Sequence, residues 1–201
     1  DLEIRGAGNL LGTGQSGHIA AVGYDLYCQM VTEAVAELKG ETPEVIREVK
    51  LDLPVDAHLS ADYVPKEALR LEAYRRLAAV STNAEVDDIA AEWIDRYGPI
   101  PVAGEALLAI ARLRVACFDR DIDEITVGKG PGFGGPKWIA KISPVELRVS
   151  KKMRLERVYR GSTYREQARI LQLALPSATT AAIDLVTAFD ELLPQTAESA
   201  S

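Results

Sequence analysis

Four groups of residues have types and spacings that chemistry can use. A glycine-rich run over residues 128–135 contains the pattern GxGxxG at Gly130, Gly132 and Gly135. In a dinucleotide site those glycines let the backbone approach a pyrophosphate, provided that the run opens a helix whose N-terminus meets the phosphate. Residues 137–142 read instead as a strand, and no Gly-Lys-Ser/Thr ends the run, so the pattern is a hairpin loop by its context. His18 and His58 stand forty residues apart with no cysteine or carboxylate at ligand spacing, which argues against a metal centre. Acid pairs such as Asp87-Asp88 and the set Asp119, Asp121 and Asp123 need burial to split their pKa values before they can act as acid and base. They read as a helix N-terminus and a solvated turn. With no GxSxG and no Cys/His arrangement, the sequence shows no active site of its own.

The fourth group is basic. Lys151, Lys152, Arg154, Arg157, Arg160, Arg165 and Arg169 are interleaved with Tyr159 and Tyr164, a pattern that suits nucleic acid or an acidic protein surface. The 201 residues carry 23 Lys+Arg against 30 Asp+Glu, a net charge of −7. Charge is unevenly spread: −3 over residues 1–40, −7 over 41–136, +7 over 137–172 and −4 over 173–201. An acidic chain is a poor non-specific DNA binder, so the basic stretch reads as a solvated face paired with acids of the same domain. No run approaches 18 consecutive apolar residues, which excludes a membrane-spanning helix. The two cysteines, Cys28 and Cys117, are too few for a disulfide framework and suit a reducing, cytoplasmic compartment.

The elements that must position these groups follow from periodicity. Five glycines within residues 1–17 rule out a regular helix there. From His18 an apolar stripe at three- and four-residue steps (Ile19, Val22, Leu26, Met30, Ala34, Leu38) predicts a long amphipathic helix that stops at Gly40. Residues 45–55 alternate as a strand, with Val49, Leu51, Leu53 and Val55 on one face, and Pro54 marks an edge or an end. Helices are predicted over about 65–80, 84–97 and 101–118, then strands near 121–127, 137–142 and 169–175. Arg148 and Val149 are ambiguous, a short helix fits 152–160, and a last helix fits 180–193. The expected fold class is α+β or α/β: a glycine-rich loop and long helix, then a compact domain of about three helices, a small, mainly antiparallel sheet and a C-terminal helix.

The first forty residues closely resemble one family. Asp1 to Gly6, Gly8 to Gly12, Gln15 to Ile19, Val22-Gly23 and Asp25 to Tyr27 are similar to the TRG motif (translocation in RecG) of bacterial transcription-repair coupling factors, the Mfd-type DNA translocases. Leu51 to Ala57, Tyr63 to Pro65, Arg70 to Leu77 and Asp95 to Pro101 look like that family's C-terminal domain, and little is recognisable beyond Lys137. RecG-type helicases share part of the motif but continue differently after Gln15-Ser16-Gly17.

The resemblance implies a parent protein that translocates on duplex DNA with ATP and Mg, displaces stalled RNA polymerase at lesions and recruits UvrA. Arg5, Gly6, Gly8, Gln15, Ser16, Gly17 and His18 would couple ATP hydrolysis to movement. Arg5 offers a fixed fork of donors, and the glycines let the backbone rearrange between nucleotide states. The expected organisation is a TRG motif over 1–40, a linker over 41–49, a regulatory domain over 50–194 and a disordered tail over 195–201. That regulatory domain would mask the UvrA-recruiting domain at rest. The chain opens in a motif without an initiator Met, so it reads as a piece of a longer protein. It would lack enzyme activity and cofactor alone, and its partners would be the rest of the parent, with no membrane. Alternatives are a piece of a RecG-type branched-DNA helicase, or a stand-alone interaction module to which residues 1–40 are incidental.

Overall fold

The computed structural model describes residues 49–131 and 135–193. Ten elements run in the order β1 (Lys50–Asp52), α1 (Glu67–Ala79), α2 (Asn83–Tyr97), α3 (Val102–Phe118), β2 (Glu124–Lys129), β3 (Trp138–Ser143), α4 (Val149–Val158), β4 (Thr163–Arg165), β5 (Ile170–Leu175) and α5 (Ala181–Leu192). The five strands form one sheet in the order β1-β2-β3-β5-β4. Only the β1–β2 pair is parallel, with α1, α2 and α3 forming the crossover; β2–β3, β3–β5 and β4–β5 are antiparallel. The mixed, mainly antiparallel fold agrees with the expectation from periodicity.

One face of the sheet is apolar. Leu51, Ile125, Val127, Ala140, Ile142, Leu171, Leu173 and Leu175 are buried at alternate positions, as half-covered antiparallel sheets require. They join a single core with α3 and α5. α3 is buried nearly all round, from Gly104 to Cys117, and Phe189 of α5 is fully inaccessible. Gly104 permits the close packing at the start of α3, because a Cβ there would stand 2.7 Å from Cγ2 of Ile100.

Helix ends agree with the sequence to within a few residues. Thr82 and Glu85 make a reciprocal capping box at the start of α2, and Gly98, at φ 85°, closes it. Pro54 lies just beyond the end of β1, itself an edge strand.

Four elements differ. Among the described residues β1 is confined to Lys50–Asp52 and does not reach residue 55, since Pro54 has no N–H to give to a ladder. β2 begins at Glu124 rather than near 121, because α3 ends in a Schellman turn: Ile122 N–H donates to Cys117 O, Asp121 N–H to Phe118 O, and Asp121 takes φ 56°. α4 begins at Val149, resolving the ambiguous pair, and ends at Val158 rather than 160. β4, three residues long, is too short to show a period. The run 128–135 does join two antiparallel strands: Gly130 N–H donates to Lys137 O at 2.9 Å, and a Cβ on Gly130 would collide with Pro136 O at 1.9 Å.

Arg120, just past α3, ties the last helix down. Its side chain is only 4% exposed and reaches Asp190 at 2.6 Å. It also donates to Ala116 O and Leu193 O, and lies over the Phe189 ring, 6.0 Å from its centroid. Removing a buried cation that serves three acceptors leaves those acceptors unsatisfied. Arg120→Ala is therefore expected to destabilise the chain by about 2–4 kcal/mol in urea unfolding. Phe189→Ala should cost about 3–5 kcal/mol by leaving a cavity.

Candidate protein-docking surface

The charged residues flagged by the sequence sort into two surfaces. The first is the outer face of α2, which carries five carboxylates (Glu85, Asp87, Asp88, Glu92, Asp95) against Arg96. Buried Val86, Ile89 and Trp93 hold the helix to the core, and Tyr63 O–H contacts Trp93 O and Gly98 O at 3.2 and 2.9 Å. Glu85 is used in the capping box. Asp87 accepts from Arg112 of α3. Glu92 accepts from Arg76 at 2.6 Å and Arg96 at 2.7 Å; those two hydrogen bonds, Arg76 foremost, hold its carboxyl below the ordinary value. Asp88 and Asp95 have no ion-pair partner among the described residues. Both are exposed on one side of the helix with Ala91, beside an Ile94 that is 53% exposed. This is a solvated acidic helix face, not an acid/base pair.

The second surface is the basic stretch. Lys152 pairs with Glu166 at 2.8 Å, Arg154 with Glu191 at 3.0 Å and Arg169 with Glu146 at 3.0 Å, while Lys151 donates to Glu191 O. Three of its seven cations are thus ion-paired within the domain and a fourth is held by a backbone carbonyl, in keeping with a solvated, partly self-paired face. Both tyrosines are turned inward: Tyr159 O–H donates to Glu191 at 3.0 Å, and Tyr164 O–H to Val145 O at 2.9 Å. Burial, and then the Glu191 contact, push the Tyr159 phenol up to about 12. His58 Nδ1 lies 2.8 Å from Asp56, and among the described residues no three His, Cys, Asp or Glu side chains converge. Arg5, Gly6, Gly8, Gln15, Ser16, Gly17 and His18 lie outside the described residues.

Sequence reasoning missed the buried Arg114, which lies among the apolar residues of α3. It donates to Leu77 O, a carbonyl in the last turn of α1, where a cation complements the helix dipole. Its Nε has no partner among the described residues. Nothing in the period of α3 distinguishes it from a solvent-facing arginine.

The Glu191 junction sets a pH dependence. Hydrogen bonds from Arg154, then from Tyr159, hold its carboxyl below the ordinary 4.5. A depressed carboxyl contributes stability that is complete above its unfolded value and is lost as the pH falls through the folded one. Glu191→Gln should lower the melting temperature by a constant amount above about pH 6, and that difference should shrink toward zero as the pH falls below about 4. Melting curves across pH 3–7 check both limbs.

Residues 53–135 match the family described as the TRCF domain. Among curated proteins, the chain is 43% identical over 189 residues to a transcription-repair-coupling factor of Mycobacterium bovis, covering 89% of this chain and 15% of that protein. It is 44% identical over 128 residues to the one from Myxococcus xanthus, covering 64% and 11%. It is 45% identical over 118 residues to that of Staphylococcus haemolyticus, covering 57% and 10%. It therefore spans 15% or less of the length of these relatives. The fold is similar to the crystal structure of the C-terminal domain of transcription-repair coupling factor, with a TM-score of 0.56 at 15% identity over 72% of this chain and 89% of that one. The resemblance read in residues 51–101 thus agrees with the sequence and fold matches: the chain carries a TRCF domain over residues 53–135 and is similar to transcription-repair-coupling factors along 89% of its length.

Proposed function

We propose that this chain is the regulatory end of an ATP-dependent duplex-DNA translocase that displaces stalled RNA polymerase at lesions and recruits UvrA in the bacterial cytoplasm. The observation that carries the reading is the 43% identity over 89% of the chain to a protein named transcription-repair-coupling factor. Residues 1–40 act as the TRG motif, with Arg5 and Gln15 coupling ATP hydrolysis in the parent's motor to movement. Residues 50–194 act as a docking domain that masks the UvrA-recruiting domain at rest. ATP and Mg belong to the motor domains of the parent, since this sequence contains no Gly-Lys-Ser/Thr.

The α2 face suits the masking role. Asp88 and Asp95 stand seven residues apart, two helical turns, so both project from one side. Beside them the exposed Ile94 adds apolar area, and a basic patch on a partner would pair with both carboxylates. Such charge pairs set specificity and association rate at an interface, and close ones add affinity as well.

Two measurements test this reading. In the parent protein, Arg5→Ala and Gln15→Ala should leave nucleotide binding intact while lowering translocation on duplex DNA roughly tenfold or more, as loss of a coupling contact does. Normal translocation in both variants would remove the coupling role. Asp88→Lys combined with Asp95→Lys should raise the parent's affinity for UvrA by roughly an order of magnitude, read by titration calorimetry. Unchanged affinity would remove the masking face from α2. The purified 201-residue chain should hydrolyse no ATP.

A further inference from the structure

The acids of the domain do not consume all of its basic segment. Among the described residues Arg148, Arg157 and Arg160 form no ion pair, and all three are exposed. They bracket an unusual helix. α4 buries only Leu155, and its opposite side carries Val149 and Met153, which are 73% and 69% exposed. Val149, Met153 and Arg157 follow at four-residue steps, so they form one stripe along the helix. From Arg148 to Arg157 that face reads cation, apolar, apolar, cation over about 14 Å.

A cleft adjoins the N-terminal end of this stripe. It holds about 370 Å³ and is lined by the buried Ile122, Val145, Leu147 and Leu193; on its charged wall, which also includes Asp121, Arg169 is paired with Glu146, whereas Arg148 forms no ion pair among the described residues. That volume lies in the range of ligand pockets and accepts a large apolar side chain. Arg148 belongs to both features, since it lines the cleft and directly precedes Val149.

We propose that α4 and this cleft form a docking groove for an acidic amphipathic helix of a partner protein. An apolar anchor of that helix enters the cleft, its neighbours cover Val149 and Met153, and its carboxylates meet Arg148, Arg157 and Arg160. Charge complementarity selects this occupant: Arg148, Arg157 and Arg160, without ion pairs among the described residues, outnumber the exposed Glu156 beside them, while the chain as a whole is −7. Duplex DNA fits less well. Its backbone offers nothing to cover Val149 and Met153, and Tyr159 and Tyr164, the aromatic side chains able to stack on bases, are hydrogen-bonded inward. The groove is independent of the α2 face, so either proposal can fail without the other.

The test uses the full 201-residue chain and a fluorescein-labelled helical peptide with leucines at i and i+4 flanked by glutamates. Its controls are a scrambled peptide of the same composition and a short DNA duplex. Fluorescence anisotropy should show saturable binding of the amphipathic peptide alone. Val149→Ser with Met153→Ser should weaken it roughly tenfold, and Arg148→Glu with Arg157→Glu should abolish it. Asp88→Lys with Asp95→Lys should leave it unchanged. All of these positions are exposed, so circular dichroism and melting temperature should match the unsubstituted chain. Absence of saturable binding, equal binding of the scrambled peptide, or indifference to the α4 substitutions would overturn the proposal. So would tighter binding of the duplex with the same dependence on Arg148 and Arg157, or self-association of the chain through this face.

Discussion

The placement of α3 is the constraint on which the rest of the domain depends. A sheet with one apolar face needs that face covered, and α3 joins it in the core with ten of its seventeen residues buried. A helix buried all round has little room for polar anchors, yet three arginines on or just past α3 each hold a different neighbour. Arg112 binds Asp87 of α2, Arg114 binds the carbonyl of Leu77 at the end of α1, and Arg120 binds Asp190 and Leu193 O at the end of α5. The apolar contacts supply most of the driving force, since they are numerous and non-directional. The guanidinium groups add direction, because each has a fixed fork that accepts only certain approach angles. Together they set where the outer helices lie, and so which of their faces meet solvent.

Charge segregation along the chain becomes charge pairing in the fold only in part. The link between α4 and α5 is built on Glu191, which draws in Arg154, Tyr159 and, through its backbone oxygen, Lys151. On the opposite balance, α2 uses three of its five carboxylates within the domain and leaves two outward. Surface ion pairs of this kind add little stability individually. Their larger effect is to decide which charges remain unneutralised, Asp88 and Asp95 on α2 and Arg157 on α4 among them.

Much of this architecture was legible before any coordinates. The apolar periods of residues 101–118 and 180–193 located the two central helices, Pro54 marked the end of an edge strand, and the context of Gly130 separated a hairpin from a nucleotide loop. What escaped had physical reasons. The turn at Asp121 uses a left-handed conformation usually given to glycine, so nothing announced that the strand would begin at Glu124. Residues 163–165 are too few to show a period, and their pairing with β5 is a long-range fact. Arg114 reads as a surface residue because burial of a cation depends on a carbonyl 37 positions away. The exposed stripe of α4 escapes a helix read over 152–160, since Val149 lies outside that span. The TRG residues Arg5 and Gln15 were legible only as a motif and lie outside the described residues.

The parallel pairing of β1 with β2 has a mechanical consequence. β1 contributes only three residues, Lys50–Asp52, and meets its partner, Glu124–Thr126, across the three-helix crossover. Closing a loop of that length costs about 4 kcal/mol of chain entropy, whereas each antiparallel pair in the rest of the sheet closes a shorter loop. Under tension applied from the N-terminal side, the load meets this edge first. It acts as a clasp whose release frees residues 50–52 while β2, β3, β5 and β4 stay paired. A strand so short and so distant in sequence from its partner makes the junction a compliant element in series with a stiff domain.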